Sequence, residues 1–402
     1  MNNTPLPRRS FADVDYPEAV RRAHALIPVF KEHAPAVERA TKLTPEVLRA
    51  IHDSGLFRMQ QPKRFGGMEL DFHAFTEIPE ILGRGDASCG WNFINLASHH
   101  RQLAQWDPLA QEEIWGADPD ALIASGIAYH QGRGRRVDGG LVINGTWGFS
   151  SGVDASQWNM LSCTVMDGDQ PIDWCMCLVP VTDHEIIDDW KTLGMRGTGS
   201  RSVRCKDVFV PAHRALSMHV ARPDHEFPGM RMHSNPMFKV PTAAMGGYGI
   251  GGALTGNAQA SIDATIALVR SRSTAYTGAK MRDFPTVQLR VGTAAARVDA
   301  VRSWFRSDCR EAAEIVARTG KLDMEAKLRY RRNAAIGVKI ATEAIDMVHE
   351  VAGANGIYDD YPIQRMFRDA HAGGAHFVLN IDVQTTPWAI VAFGGEVKSP
   401  TL

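Results

Sequence analysis

The sequence predicts an α+β protein with an N-terminal helical domain, a central antiparallel β module and a C-terminal helical bundle. Helical periodicity covers both ends of the 402-residue chain. Residues 118–219 instead hold short runs rich in Val, Ile, Trp and Cys, separated by Gly, Asp and Pro, which is typical of strands. We expect an N-terminal helical domain at residues 1–117, a β-barrel-like domain at 118–225 and a four-helix-bundle domain at 226–402.

The N-terminal domain shows how its helices begin and end. In the segment LTPEVLRAIHDSGLF, Thr44 can cap a helix, and Pro45 stands at the first helical position. Val47 and Ile51 then repeat at helical spacing, and Gly55 supplies the left-handed residue at which a helix ends. The pattern therefore predicts a short amphipathic helix between Thr44 and Gly55.

The C-terminal domain contains two long amphipathic stretches, residues 287–316 and 328–351, separated by a short gap. This spacing predicts two antiparallel helices of a bundle. The run GYGIGG at 247–252 formally matches a dinucleotide-binding fingerprint. Because no strand precedes it and no acidic residue follows in a second strand, we interpret it as small residues that permit close helix packing.

Composition excludes several classes of protein. Lys and Arg number 44 and Asp and Glu 45, so the net charge of −1 and the pI of about 7.0 give no basic surface for nucleic acid. The mean hydropathy is −0.20, and no apolar run reaches the roughly 18–20 residues that span a bilayer. The N-terminal segment has no hydrophobic signal region, and the six cysteines form no C-x-x-C pair. We therefore expect a cytoplasmic protein with free thiols.

Motifs for metal binding and hydrolysis are missing from the sequence. Among the fifteen histidines the close pairs are His99 with His100 and His371 with His376. Adjacent histidines diverge on a helix, and neither spacing matches a known zinc motif. The sequence also lacks the G-x-S-x-G turn of a serine nucleophile. We expect no metal site.

Three motifs stand in a fixed order along the chain: NGTWGFSSG at 144–152, LGMRGTGSRSV at 193–203 and IQRMFRDA at 363–370. In this order, and within a helix–sheet–helix plan, they resemble the acyl-CoA dehydrogenase superfamily. The resemblance runs from about residue 16 to about residue 395. It implies the fold of that superfamily, but it says less about the reaction.

One departure from the dehydrogenases bears on the chemistry. Many of them carry a catalytic glutamate with seven residues between it and the aspartate of R-D-A, and this chain has Phe377 in that position. The chain also contains QEEIWG at 111–116 and RDAHAG at 368–373. These features resemble the oxygenase components of two-component flavin monooxygenases, a branch that includes the hydroxylases of 4-hydroxyphenylacetate and of a phenolic secosteroid.

The resemblance implies that the protein hydroxylates a phenol-like aromatic substrate through a flavin C4a-hydroperoxide. The cofactor would be reduced FMN or reduced FAD, with O2 as co-substrate, and the sequence does not separate the two flavins. The absence of a nicotinamide-binding motif fits a chain that receives reduced flavin from an NAD(P)H-dependent flavin reductase. The resemblance also implies a homotetramer.

Positions that match this branch give the candidate catalytic residues. They are His99, Ser125 and His376, with His371 as a second candidate in the last helical region, and His100 is the neighbour with which His99 is most easily confused. Histidine, with an ordinary pKa near 6.5, can take a phenol proton at neutral pH. A serine hydroxyl can act as a neutral hydrogen-bond donor.

The cofactor-binding candidates lie in the motif turns and in the C-terminal region. They are Trp147, Phe149, Ser150, Ser151, Arg196 and Arg272. A guanidinium suits a flavin or a phosphate, and the resemblance places Arg272, more than Arg270, at the flavin of a neighbouring subunit. An ordinary sheet core remains the alternative interpretation of the turn at 147–151.

Three alternatives to phenol hydroxylation remain. The first is flavin-dependent oxygenation of sulfur, indole or an amino-sugar nitrogen, which needs no phenol base. The second is acyl-CoA dehydrogenase-type oxidation by a base from elsewhere in the chain. The third is a flavin-binding or scaffold protein without enzymatic activity.

Overall fold

A computed structural model describes residues 9–218 and 227–397 of the chain. Helices occupy the first part of the described chain, strands the middle and helices the last part, as the sequence predicts. The division into three domains stays a prediction. Its second boundary, between residues 225 and 226, lies outside the described residues. Within the described ranges, no helix is long and apolar enough to cross a membrane.

The N-terminal helices include α4 (Ala87–Leu103), a buried helix that carries part of the candidate site. They are α1 (Tyr16–Ala40), α2 (Pro45–Ser54), α3 (Ala74–Gly83), α4 (Ala87–Leu103) and α5 (Pro108–Gln111). The limits predicted for α2 are confirmed, because Thr44 Oγ1 accepts a hydrogen bond from the backbone N–H of Val47 and Gly55 ends the helix with φ +74°.

The central module is a single sheet with strand order β6-β7-β3-β2-β4-β5-β8 and β1 paired with β4. Its strands are β1 (Ile123–Gly126), β2 (Gly132–Val137), β3 (Gly140–Ser150), β4 (Trp158–Asp167), β5 (Gln170–Pro180), β6 (Glu185–Ile187), β7 (Arg201–Pro211) and β8 (Ala215–Ser217).

The sheet is mixed, which corrects the expectation of a purely antiparallel module. Strand β4 pairs in parallel with both β1 and β2, whereas the other pairs are antiparallel. The parallel pairs join strands separated by other elements along the chain, and local sequence patterns carry no signal for such pairing.

The C-terminal helices form the bundle that the sequence predicts. They are α6 (Thr242–Ser271), α7 (Pro285–Thr319), α8 (Met324–Ala352), α9 (Pro362–Gly374) and α10 (Ile381–Ala392). Helices α7 and α8 contain the two predicted amphipathic stretches. They bury Val298, Val301 and Phe305 from one helix and Val338 and Ile345 from the other.

The GYGIGG run lies inside α6 and packs helices closely, as the sequence interpretation proposed. A Cβ atom on Gly252 would lie 2.4 Å from the carbonyl oxygen of Thr76 in α3, and one on Gly249 would lie 2.7 Å from Ile94 in α4. These glycines therefore let α6 approach α3 and α4, and α4 carries part of the candidate site.

We predict opposite effects for alanine at two glycines of α6. Gly252→Ala should lower the free energy of unfolding by about 1–3 kcal/mol, because the methyl group meets the Thr76 carbonyl and the helices must separate. Gly246→Ala is the matched control, since its Cβ would meet only Thr242 at 4.0 Å. That variant should gain up to about 1 kcal/mol of helix propensity. Chemical denaturation measures both, and equal effects would contradict the packing role.

Candidate active site

Helix α4 forms one wall of the candidate site. Its start is fixed by Asp86, whose carboxylate accepts a hydrogen bond of 2.9 Å from the backbone N–H of Cys89. Trp91, Asn95 and His99 follow at helical spacing and lie within about 80° of one another around the axis. Trp91 and His99 are separated by about 12 Å along the helix. One face of α4 therefore joins two groups of polar side chains.

His99 forms the first group together with strand β1. The side chain is buried, and its Nδ1 lies 2.6 Å from the carbonyl oxygen of Ile123. Because a carbonyl oxygen only accepts, Nδ1 must carry the proton, which leaves Nε2 as an acceptor in the neutral ring. No residue in the described ranges hydrogen-bonds to Nε2. Burial lowers the pKa of His99 to about 4, although the bond to Ile123 opposes this.

Ser125 lies two residues beyond Ile123 on β1 and is half-buried. Successive side chains of a strand alternate between faces, so Ile123 and Ser125 lie on the same face. The structure thus brings Ser125 to the strand that anchors His99. The two predicted residues belong to one region of the molecule.

His100 has a different environment from its neighbour. It is fully buried, accepts a hydrogen bond of 3.0 Å at Nδ1 from Trp115 Nε1, and stacks on that ring. Burial is the main cause that lowers its pKa to about 3. This environment is that of a core histidine, so the structure favours His99 over His100 as the group that faces the site.

His376 forms the second group together with Trp91. It is half-buried, and its ring meets the Trp91 ring edge-on at a centroid distance of 5.5 Å. Its Nδ1 accepts the backbone N–H of Val378 at 3.2 Å, so the proton of the neutral ring lies on Nε2. Burial lowers the pKa of His376 to about 4. At pH 7 this histidine is therefore a neutral donor at Nε2.

His371 does not join this group. Its Nε2 pairs with Asp346 Oδ1 of α8 at 2.9 Å, its ring contacts Phe367, and its side chain is 40% exposed. Of the two histidines near the end of α9, the structure places His376 beside Trp91 and leaves His371 in a surface hydrogen bond with Asp346.

The end of β3 and the turn that follows it contribute aromatic and hydroxyl groups. Phe149 has a positive φ of +64° and is 73% exposed, and its ring meets Trp190 edge-on at 6.0 Å. Ser151 Oγ accepts the indole N–H of Trp91 at 3.2 Å and lies 2.7 Å from Ser200 Oγ. The turn therefore offers an open aromatic face next to a hydroxyl held by α4.

Two of the predicted residues in β3 point into the β module. Trp147 is fully buried in the core of the sheet, where its indole N–H donates to the Ser162 carbonyl at 2.7 Å. Ser150 is also fully buried and accepts a hydrogen bond from Asn159 Nδ2 at 3.0 Å. These placements favour the sheet-core interpretation of both residues and offer a ligand no exposed surface. A register shift between Trp147 and Ser150 interrupts the alternation of β3, so both side chains are buried although they are three residues apart.

The predicted arginines lie in separate places. Arg196 is exposed at the start of the 3₁₀ turn Arg196–Thr198, and no residue in the described ranges pairs with its guanidinium. Arg272 follows the end of α6 and donates to the carbonyl of Ala352 at 3.2 Å. No described contact joins Arg272 to His99 or His376, so its predicted role at the flavin of a neighbouring subunit stays a prediction.

The loop before Arg196 is fastened to α9. The Arg368 guanidinium donates to the Leu193 carbonyl at 2.8 Å, and Asp369 Oδ1 accepts the backbone N–H of Met195 at 2.5 Å. A Cβ atom on Gly194 would lie 2.2 Å from the Arg368 carbonyl oxygen. Two of the sequence motifs, GMRGTGS and RMFRDA, are therefore in direct contact.

Sequence reasoning missed several residues of this region. Trp91 had no signal, because a lone tryptophan in a helix is typical of a core. Thr198 and Ser200 stood inside a motif that was singled out only for its arginine. Asp369 stood inside the R-D-A motif, and its contact with Met195 required knowledge of the tertiary structure.

The residues present fit a flavin better than a metal. In the described ranges, no three His, Cys, Asp or Glu side chains are placed to hold a metal ion. Phe149 offers an open aromatic face, Ser151 a hydroxyl, and Arg196 an unpaired positive charge for a phosphate. The slot of the dehydrogenase glutamate holds Phe377, which is 62% exposed and cannot take a proton.

Two family models match the chain. Residues 23–111 match the acyl-CoA dehydrogenase N-terminal domain, and residues 248–381 match the acyl-CoA dehydrogenase C-terminal domain.

The chain is similar to several proteins named as oxygenases. The flavin-dependent monooxygenase oxygenase subunit HsaA of Mycobacterium tuberculosis (strain ATCC 25618 / H37Rv) is 34% identical over 87% of this chain and 89% of its own length. The FADH(2)-dependent resorcinol hydroxylase oxygenase component of Rhizobium sp. (strain MTP-10005) is 29% identical over 96% of both. A crystal structure of the M. tuberculosis HsaA monooxygenase matches 96% of this chain and 100% of its own, with a TM-score of 0.91 and 31% identity.

We predict that Asp369 controls the mobility of the loop at 193–200. In Asp369→Ala the amide of Met195 should exchange with deuterium up to about tenfold faster, because its buried acceptor is lost. Asp369→Asn retains an acceptor oxygen and should restore much of the protection. Asp346→Ala removes another carboxylate that contacts α9 and serves as the control. Unchanged exchange at Met195 in Asp369→Ala would refute the prediction.

Proposed function

Because the chain belongs to the family of flavin-dependent monooxygenase oxygenase subunits with the acyl-CoA dehydrogenase fold, we propose that it hydroxylates a phenol-like aromatic substrate with reduced flavin and O2. The observation that carries the proposal is the pair of neutral histidines at the two ends of one face of α4. His99 presents an unprotonated Nε2, and His376 presents a protonated one. An acceptor for the phenol and a donor for the cofactor are thus available at the same pH.

When bound, reduced flavin together with O2 supplies the electrophilic oxygen atom, and the protein positions the groups and excludes water. We assign Phe149, Ser151 and Arg196 to the cofactor, with Trp91 holding Ser151 in place. His376 lies beside Trp91 and donates to the cofactor side of the site.

We assign His99 and Ser125 to the substrate. A phenol O–H that donates to His99 Nε2 gains electron density on its ring, which makes the ring a better nucleophile. The low pKa of His99 means that full proton transfer in the free site is uphill. The resulting imidazolium would be stabilised by the Ile123 carbonyl at Nδ1 and by the phenolate itself, because an opposite charge favours the charged form.

We propose that a separate NAD(P)H-dependent reductase supplies the reduced flavin, FMN or FAD. The names of the relatives as oxygenase subunits and components support a separate partner. A cytoplasmic location is supported by the six cysteines, all of which are free and buried in the described residues.

We further propose that the protein is a homotetramer. Helix α10 is rich in apolar residues, yet only Gln384 is fully buried in it. Ile390 on this helix is 39% exposed, and Phe393 just beyond it is 88% exposed. An apolar surface of this kind is typical of contacts between subunits.

Substitution of His99 tests the substrate base. In His99→Ala, oxygen transfer to a phenol should slow by about 10²–10⁴-fold, and reduced flavin should instead yield hydrogen peroxide. The defect should shrink as pH rises towards the phenol pKa of about 10, because solvent then supplies phenolate. In the wild type, His99 is unprotonated above about pH 4, so it should cause no loss of rate between pH 5 and 8. Product and peroxide are measured by chromatography and a coupled peroxide assay.

His184→Ala is a matched control for this test, because His184 is half-buried and its Nδ1 likewise faces a backbone carbonyl, that of Pro180, at 3.1 Å. It should leave the ratio of product to peroxide unchanged. If His99→Ala hydroxylates at the normal rate at pH 7, His99 is not the substrate base. Substrates that accept oxygen without losing a phenol proton, such as a sulfur compound or an indole, then become the better candidates.

Sedimentation velocity tests the assembly. The wild type should sediment as a tetramer at micromolar concentration, and Ile390→Asp should shift it towards smaller species because a charge enters an apolar contact. Ile172→Asp on β5, where the isoleucine is 43% exposed, is the control. A monomeric wild type would contradict both the interface on α10 and the expected role of Arg272 at a neighbouring flavin.

A further inference from the structure

A chain of hydrogen-bonded hydroxyl groups runs from the loop at 195–200 to the turn after β3. Thr198 Oγ1 donates to the carbonyl of Met195 at 2.8 Å, Thr198 and Ser200 hydroxyls lie 2.7 Å apart, and Ser200 and Ser151 hydroxyls lie 2.7 Å apart. Trp91 Nε1 donates to Ser151 Oγ at 3.2 Å and ends the chain. Four side chains and one carbonyl are therefore connected in sequence.

The direction of these bonds is fixed, because each hydroxyl has one proton. Thr198 must donate its proton to the Met195 carbonyl, because a carbonyl oxygen can only accept. The bond between Thr198 and Ser200 must then use the proton of Ser200, and the bond between Ser200 and Ser151 must use that of Ser151. The indole N–H of Trp91 can only donate, and it occupies one lone pair of Ser151.

The chain of hydroxyl groups therefore fixes the direction of the O–H bond of Ser151. Its proton points back along the chain, and one lone pair of its oxygen remains for a ligand. Thr198 and Ser200 are 1% and 5% exposed, whereas Ser151 is half-buried, so the chain opens to a ligand at Ser151. At this point the protein offers an acceptor and not a donor.

Met195, at which the chain of hydroxyl groups starts, is held in place by α9. Met195 has a positive φ of +54°, and its backbone N–H is held by the buried carboxylate of Asp369 at 2.5 Å. This contact fixes the position of the residue whose carbonyl sets the direction of the chain. Asp369 belongs to α9, and that helix leads to His376, which meets Trp91 at the other end of the chain.

Reduction of a flavin changes the groups that its rings present. The central ring nitrogen that is a bare acceptor in oxidised flavin carries an N–H in the reduced form. A protein oxygen that can only accept a hydrogen bond is complementary to this N–H of reduced flavin. In oxidised flavin the same oxygen faces the lone pair of the ring nitrogen. Two facing acceptors leave each other without a partner, which costs affinity.

We propose that the directed hydroxyl chain makes the site selective for reduced over oxidised flavin, with Thr198 and Ser200 as positioning residues that set the polarity of Ser151. This inference rests on the proposed function, since it takes the flavin to bind beside Ser151. It extends that function by naming what lets an oxygenase without its own reductase accept the cofactor in the right redox state.

Thr198→Val tests the proposal, because valine keeps the shape of threonine and removes the donor to Met195. Without that donor Ser200 can accept or donate freely, so Ser151 becomes able to donate to oxidised flavin. Anaerobic titration with photoreduced FMN and with oxidised FMN gives the two Kd values. The ratio of the oxidised to the reduced Kd should exceed one in the wild type and fall by roughly two- to tenfold in Thr198→Val. Ser200→Ala, which breaks the chain next to Ser151, should also lower the ratio.

Two further variants separate polarity from packing. Thr198→Ser retains the hydroxyl and should restore the wild-type ratio. Thr265→Val removes another buried threonine hydroxyl that donates to a carbonyl, that of Ser261 at 2.8 Å, and should leave the ratio unchanged. Thermal unfolding confirms that each variant is folded before titration.

The outcomes distinguish the inference from the function on which it rests. A wild type that binds neither form of FMN or FAD would overturn the proposed function. A wild type that prefers reduced flavin, with the same preference in Thr198→Val and Ser200→Ala, would overturn the hydroxyl chain and leave the function standing. A loss of preference in Thr198→Ser equal to that in Thr198→Val would show that packing, not the hydroxyl, matters at this position.

Discussion

The contact between α9 and the loop at 193–195 is the constraint on which the candidate site depends. The backbones approach so closely that Gly194 has no room for a Cβ atom, and Asp369 accepts the Met195 N–H across the contact. This contact joins the last helical region to the β module. It also fixes the hydroxyl groups of Thr198 and Ser200 relative to the histidine that follows α9.

Backbone groups decide what the two histidines can do. The Ile123 carbonyl requires a proton on Nδ1 of His99, whereas the Val378 N–H requires a lone pair on Nδ1 of His376. The imidazole of His99 therefore presents an acceptor at one end of the site, and the imidazole of His376 presents a donor at the other. Neither role needs a charged partner, because a strand and a short turn supply the orienting groups.

The sequence contained most of the fold and only part of the site. Local signals such as Thr44 and Gly55 were sufficient to bound a helix, and the three motifs placed the turns. They did not separate His99 from His100, because adjacent residues on a buried helix differ only in which element packs against each ring. Alternation along β3 explains why Trp147, although it belongs to a motif, lies in the core. Parallel pairing of β4 and the contact of Asp369 join residues far apart in the chain, and no local pattern encodes them.

The chemistry of the site follows from the neutrality of its two histidines. The position of the dehydrogenase glutamate is taken by Phe377, and burial keeps His99 and His376 uncharged at pH 7. The groups that these histidines contact are also uncharged: the Ile123 carbonyl for His99, and the Val378 N–H and the Trp91 ring for His376. A carboxylate here would favour removal of a proton from carbon, as in the dehydrogenases. Neutral donors and acceptors hold a ligand in one orientation without adding or removing a proton before the substrate is present. The same helices and sheet can therefore serve oxygen transfer, because the change of one charged position alters which proton can move.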